Sequence, residues 1–187
     1  MIIIIGLGNT GEEFKNTRHN IGFEVIDKIK EKNNFPDFVL STRVKAKISK
    51  GTINRKKITL VKPNTFMNLS GDIPRMFVAF YKLKASDFIV IHDDVDIPLG
   101  KYKISESSGS AGHKGVQSLI DALGTKNFKR IRIGILPEKG KSKETEKFVL
   151  KKFTKKEKET INETVGKIAK EIDQIIKTMP DNETSNS

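Results

Sequence analysis

The sequence predicts an α/β fold, a single domain with a mixed, largely parallel sheet flanked by helices. Three observations predict it. Short β-branched runs recur along the chain, stretches with apolar residues at helical spacing alternate with them, and no internal repeat divides the sequence. At 187 residues and 36% hydrophobic, the chain is long enough to bury one substantial core. One domain is therefore expected over residues 1–179, with residues 180–187 a polar tail expected to be disordered.

The elements follow in order. Residues 1–5 are a β-branched run closed by Gly6 and predict a buried strand. Ile21, Val25, Ile26 and Ile29 recur at helical spacing, so a helix follows the first loop. Residues 44–48 and 57–61 predict two strands joined through the turn-prone Gly51 and Asn54, the second ended by Pro63. Met76, Phe77, Phe80, Tyr81 and Leu83 mark a second helix, with Ser70 a candidate N-cap and Pro74 tolerable only near the first turn. Residues 88–92 form an apolar run ending in Asp93 and Asp94, a central strand with acids at its carboxyl end, where open α/β sheets bind ligands. A strand over 100–104, a Ser/Gly loop over 105–112 and a helix over 116–123 stopped by Gly124 come next. In residues 128–136, Arg130 and Arg132 alternate with Ile131, Ile133 and Ile135, giving a strand with one basic and one apolar face. The lysine-rich stretch 139–158 is anchored by Phe148, Val149, Leu150 and Phe153. The closing helix over 155–177 carries Ile161, Val165, Ile168, Ile172, Ile175 and Ile176 on one stripe.

Composition narrows the function classes. The early apolar run is too short for a secretory signal, and no stretch approaches the roughly 20 apolar residues that cross a bilayer. There are no cysteines, which removes disulfides and thiolate chemistry and fits a reducing cytoplasm. A net charge of +12 suits a polyanionic partner, although nearly all of it is lysine, which a coding bias would also produce.

The segment Gly6-Leu7-Gly8-Asn9-Thr10-Gly11 follows a strand and matches the dinucleotide fingerprint GxGxxG. The context does not fit that use, because residues 12–20 are polar and non-periodic and Asp27 falls inside the expected helix instead of at a strand end. The other use of the glycines is a tight loop that brings backbone and the Asn9 amide close to a substrate. His19 stands just before a helix, and Asp93 at a strand end is the kind of carboxylate that holds an imidazole in one tautomer and stabilises the imidazolium. With no cysteine and no GxSxG elbow, a histidine base activating water is the simplest chemistry. Phe66 and Asn68 offer an aromatic to stack on a base and an amide for a carbonyl or oxyanion, although Phe66 and Met67 also suit a core. The three histidines lack close metal-ligand spacing, and His113 reads as a helix start, so no metal is expected.

Taken in order, Gly6-Leu7-Gly8-Asn9 with Gly11, Thr17-Arg18-His19-Asn20-Ile21-Gly22, Pro63 with Thr65-Phe66-Met67-Asn68-Leu69-Ser70-Gly71, and His92-Asp93-Asp94 with Asp96, Pro98 and Gly100 make the chain resemble the bacterial peptidyl-tRNA hydrolase family over about residues 1–180. The resemblance implies a cytoplasmic, monomeric esterase without a cofactor. It would hydrolyse the bond between a peptide's carboxyl end and the 3′ ribose of tRNA, with peptidyl-tRNA its nucleic-acid partner and no membrane involved. It implies His19 as general base, Asp93 as its orienting carboxylate, Asn9 as a selector for the peptide part, Asn68 as a contact to the ester region and Phe66 as the aromatic at the tRNA 3′ end. Lys103 and Arg132 resemble the basic residues that hold the 5′ phosphate.

Departures from the family pattern are also visible. Thr10 stands where proline is usual, Phe14 where tyrosine is usual, and Ser105 where a basic residue is frequent. Lys114 stands where the family has a substrate-site asparagine. If it points inward, its ammonium lowers the pKa of His19; if its long stem turns outward, a water takes the amide's place. Two other classes compete with the hydrolase reading: an RNA-binding relative without turnover, and a nucleotide-binding protein using Gly6 to Gly11.

Overall fold

In the computed structural model, which describes residues 1–180, the elements run β1 (Ile2–Gly6), α1 (Ile21–Lys32), β2 (Val39–Ser41), β3 (Ala46–Ile53), β4 (Lys56–Pro63), α2 (Asp72–Tyr81), β5 (Phe88–Pro98), β6 (Tyr102–Glu106), α3 (Lys114–Leu123), β7 (Lys129–Leu136), α4 (Thr145–Val149) and α5 (Lys155–Thr178). The tail expected from residue 180 onward lies outside the described residues from 181. Seven strands form one sheet in the order β2-β3-β4-β1-β5-β7-β6. The four central strands β4, β1, β5 and β7 are parallel, and both edges are antiparallel.

β1 is continuously apolar because it is covered on both faces, which leaves it no side to present to water. Ile2 and Ile4 face a core built with α1 and α5, through Val25, Ile29, Ile168 and Ile172. Ile3 and Ile5 face a second core with α2 and α3, through Ile73, Phe77, Val116 and Leu119. The sheet is thus the middle of three layers.

Several boundaries differ from the sequence reading. Val44 lies in a turn, and β3 begins only at Ala46 because Lys45 adopts a left-handed conformation at φ 49°. Gly51 sits inside β3 opposite Ile58, and the hairpin turns on Asn54-Arg55, both at positive φ as a type I′ turn requires. Ser70 does not cap α2; the helix starts after Gly71, which places Pro74 in its first turn, where the missing N–H has no helical partner to lose. The first acid-bearing strand does not stop at His92 but carries Asp93 and Asp94 as strand residues paired with β7. β2 and α4 were not foreseen. Arg130, read as part of a basic face, is buried: one of its terminal nitrogens donates to the carbonyls of Ser108 and Gly109, so the loop folds over it.

The start of α1 is seated against the carboxyl end of β1 and the neighbouring stretch of β5 by two glycines. A Cβ on Gly6 would lie 2.4 Å from the carbonyl oxygen of Gly22, and one on Gly22 would lie 2.5 Å from those of Leu7 and Ile91. Nothing but glycine fits this approach. Gly22→Ala is expected to lower unfolding free energy by about 1–3 kcal/mol through overpacking, whereas Gly166→Ala in α5, where an added Cβ meets nothing within 4 Å, should stabilise by up to about 1 kcal/mol; urea unfolding of both variants checks the contrast.

Candidate active site

After β1 the chain crosses the top of the sheet and tightens into a 3-10 turn, Arg18–Asn20, just before α1. This turn delivers His19 to Asp93 of β5: the imidazole Nδ1 and a carboxylate oxygen of Asp93 are 2.8 Å apart. A second imidazole reaches the same oxygen, with His113 Nε2 at 3.0 Å. The remaining ring nitrogen of His113, Nδ1, accepts the backbone N–H of Val116 as the N-cap of α3. That bond places the His113 proton on Nε2 and makes it a donor to Asp93. His19 likewise donates through Nδ1, so its Nε2 carries the lone pair and faces the cleft.

Burial alone would raise the Asp93 pKa, but the two imidazoles more than offset it and hold the carboxyl well below its usual range. For His19 burial favours the neutral ring, yet the charge and hydrogen bond of Asp93 outweigh it and raise the pKa above the ordinary histidine value; Lys114 opposes part of this. His92, fully enclosed and bonded to the Asp93 carbonyl oxygen at 2.7 Å, is pushed well below the histidine range by burial and stays neutral.

The amide of Asn9 is positioned from two sides. Its side-chain oxygen accepts from Met67 N–H at 2.9 Å, and its backbone exchanges hydrogen bonds of 2.8 and 2.9 Å with the Asn20 side chain. The Nδ2 group of Asn9 makes no hydrogen bond among the described residues and lines the cleft. The cleft has a volume of about 690 Å³. Its floor is the buried Asp93 and Asn9 with His19; one wall carries Phe66, Met67, Asn68, His113 and Lys114 from the loop after β4 and the start of α3, and another carries Lys141, Glu146, Val149 and Leu150 from α4 and its flanks. Phe66 remains 60% exposed, so it is not the core residue its type suggests.

The structure brings together His19, Asp93, Asn9, Asn68, Phe66 and Lys114. It does not bring in Phe14, which sits half-buried on a short turn, Glu12–Phe14, outside the cleft's lining. Lys103 and Arg132 lie outside it too, as directly opposed residues of β6 and β7. Arg132 bonds Asp94 at 2.8 Å, and Asp94 is part of the cleft. Lys114 neither enters the floor nor leaves the site; it crosses to Glu146 at 2.8 Å. Sequence reasoning missed the contact of His113 with Asp93, the support from Asn20 and the α4 wall. The only signal for His113 was its place at a helix start.

Among the described residues, His19, Asp93 and His113 form the one group whose donor atoms could hold a metal ion, lying within 4.8 Å of one another. As hydrogen-bonded, the same space is filled by two N–H protons converging on one carboxylate oxygen. Chemically, the arrangement offers a base with a free nitrogen, a buried anion to stabilise its protonated form, and amide groups beside the reacting volume.

No helix among the described residues is long and apolar enough to cross a membrane. The model of the family described as Peptidyl-tRNA hydrolase matches residues 3–187. The chain is 44% identical over 167 residues to a peptidyl-tRNA hydrolase of Brevibacillus brevis, covering 89% of this chain and 86% of that protein. It is 41% identical over 177 residues to one of Clostridium beijerinckii, covering 95% and 90%. A crystal structure of the Acinetobacter baumannii peptidyl-tRNA hydrolase superposes with a TM-score of 0.85 at 27% identity, covering 96% of this chain and 92% of that one.

The electrostatics give a measurable sign. In an NMR titration, the His19 ring should protonate with a midpoint above the ordinary histidine value. In Asp93→Asn only the opposing influences of burial and Lys114 remain, so the midpoint should fall below that value. An unchanged midpoint would mean that Asp93 does not act on His19.

Proposed function

The chain belongs to the peptidyl-tRNA hydrolase family, and from that premise we propose that His19 is the general base in hydrolysis of the ester between a peptide's carboxyl end and the 3′ ribose of tRNA. The observation that carries this reading is the single orientation of the imidazole: Nδ1 is committed to Asp93 at 2.8 Å, which leaves Nε2 for a water in the cleft. Water loses a proton to Nε2 as its oxygen attacks the ester carbonyl. Asp93 stabilises the imidazolium, and the amide groups of Asn9 and Asn68 donate to the developing oxyanion. When the tetrahedral intermediate collapses, His19 returns the proton to the departing ribose oxygen. The products are a free peptide acid and an intact tRNA.

Exposed Phe66 supplies a face on which the terminal base of the tRNA can stack, opposite the apolar wall of Val149 and Leu150. Lys103 and Arg132 extend the basic surface past Asp94 and suit the 5′ phosphate of the acceptor stem. The Asp94 bond holds the Arg132 guanidinium in place while leaving part of it exposed. The Lys114–Glu146 pair takes the position where the family resemblance places an amide, so its ammonium is available to phosphates at the 3′ end only when it leaves Glu146. A cytoplasmic location and action as a monomer go with this reading.

Purified peptidyl-tRNA provides the test. His19→Ala should reduce release of free tRNA by about 10²-fold or more, since general-base catalysis contributes on that scale, while tRNA binding stays near wild type. Wild-type protein that binds peptidyl-tRNA without releasing it would instead support a binding protein that has lost turnover. For the phosphate contact, Lys103→Ala with Arg132→Ala should weaken binding of 5′-phosphorylated tRNA and flatten its salt dependence. Dephosphorylated tRNA should respond much less. An equal response of the two substrates would remove these residues from the 5′ end.

A further inference from the structure

In 3-10 geometry successive residues step about 120° around the axis, so three consecutive side chains point in three directions. The Arg18–Asn20 turn uses all three. Asn20 is fastened to Asn9 and His19 to Asp93, both already part of the site. Arg18 is fastened elsewhere, to the segment that follows α4. One terminal nitrogen of its guanidinium donates to the carbonyls of Lys151 and Lys152 at 3.1 and 2.7 Å, and the other straddles the Glu157 carboxylate at 2.9 and 2.8 Å. The same group lies 4.5 Å from the ring centre of Phe148 and 5.0 Å from that of Phe153. The backbone adds to this, with Arg18 N–H bonded to the Lys151 carbonyl at 3.1 Å and Thr17 paired to Lys152.

Only 6% of the Arg18 side chain is exposed. Taking a cation out of water costs stability unless its partners compensate, and an apolar residue would fill a slot between two phenyl rings without that cost. A planar fork with fixed donor directions does something an apolar residue cannot, because it defines rotation as well as position. The two groups it relates are the turn bearing His19 and the adjoining wall bearing Val149 and Leu150, both of which line the cleft.

We propose that Arg18 is a positioning residue for the hydrolysis, setting the rotation of the His19 turn against the Val149–Leu150 wall so that Nε2 aims into the cleft while Nδ1 keeps Asp93. This rests on the reading of His19 as the base. Arg18 itself points away from the reacting volume. The groups that face His19 are Asp93 from β5 and His113 and Lys114 from the start of α3, and none of them touches the guanidinium. An effect of Arg18 on His19 therefore passes through the turn.

The test uses the full chain in two variants. Arg18→Lys keeps the cation between the rings but loses the fork. Arg18→Met with Glu157→Gln removes both charges, so that no buried ion is left unpaired. Misplacement of a catalytic group by about 1 Å costs on the order of 10²-fold in rate, so kcat on peptidyl-tRNA should fall about tenfold or more while KM stays within about twofold. The NMR midpoint of His19 should move down as its bond to Asp93 loosens. In any variant whose unfolding remains cooperative, wild-type kcat together with an unmoved His19 midpoint overturns the proposal and leaves Arg18 a stabilising contact only. His19→Ala run in parallel separates the two readings. If that variant turns over normally, the base assignment fails, and the His19 midpoint in the Arg18 variants still decides whether Arg18 positions the ring.

Discussion

The site depends on one charge held out of water. Asp93 is 2% exposed and stays ionised, which a buried carboxylate can do only with donors at hand. The donors are two imidazole N–H groups on segments 74 and 20 residues away in sequence, both directed at the same oxygen. Much of the local architecture follows from that requirement. The loop after β1 must return to Asp93 within β5, and the loop after β6 must bring His113 back over it. His113 meets both needs at once, because the nitrogen that caps α3 fixes the proton on the nitrogen that serves Asp93. With His113 neutral and donating, Asp93 keeps its full charge for His19.

The carboxylate is effective only if the elements carrying its partners are seated closely, and here backbone shape takes over from electrostatics. Gly6 and Gly22 let α1 start almost on the carbonyl groups at the strand ends, so the turn before the helix overhangs the sheet at β1 and β5. Asn20 then joins this turn to Asn9, and Asn9 joins it to Met67 at the head of the next loop. A relay of short hydrogen bonds thus runs from the histidine to the wall carrying Phe66 and Asn68. The parallel centre of the sheet makes this possible, because it gathers the loops after β1 and β4 beside Asp93 and Asp94 of β5.

Elements whose burial repeats with a regular period were legible in the sequence. β1, α1, α3, β7 and α5 fall close to their expected places because each presents a continuous or periodic apolar surface to one of the two cores. What escaped was decided by contacts that carry no local signature. Val39 and Leu40 of β2 are exposed on an edge strand, so burial imposed no alternation there. α4 has five residues, too few to show a helical period. Gly51 looks like a turn residue but lies in a strand, where a Cβ would meet the Phe35 ring at 2.8 Å, and the actual turn falls to Asn54-Arg55. In the site, His19, Asp93, Asn9 and Asn68 could be picked out by chemistry and resemblance, whereas the residue pattern alone did not tell Arg130 from Arg132, which only the resemblance singled out. Both alternate with isoleucines, and only the position of the Ser/Gly loop decides which one is covered.

Lys114 shows how a substitution at a polar site is absorbed. An ammonium directed at the floor would face His19, whose protonated form it opposes, and the neutral amide expected from the family would not. The side chain instead finds Glu146 on the opposite wall, and the carboxylate neutralises at short range a charge that would otherwise act over the whole cleft. Both partners are largely exposed, so water and salt screen the pair and little free energy resists its opening. The buried ion pair of Arg18 with Glu157, at the other end of the same wall, is of the opposite kind, enclosed by two rings and bonded to two carbonyls. One wall of the cleft is therefore tied by a buried ion pair where it meets the His19 turn and by an exposed, screened one where it meets Lys114.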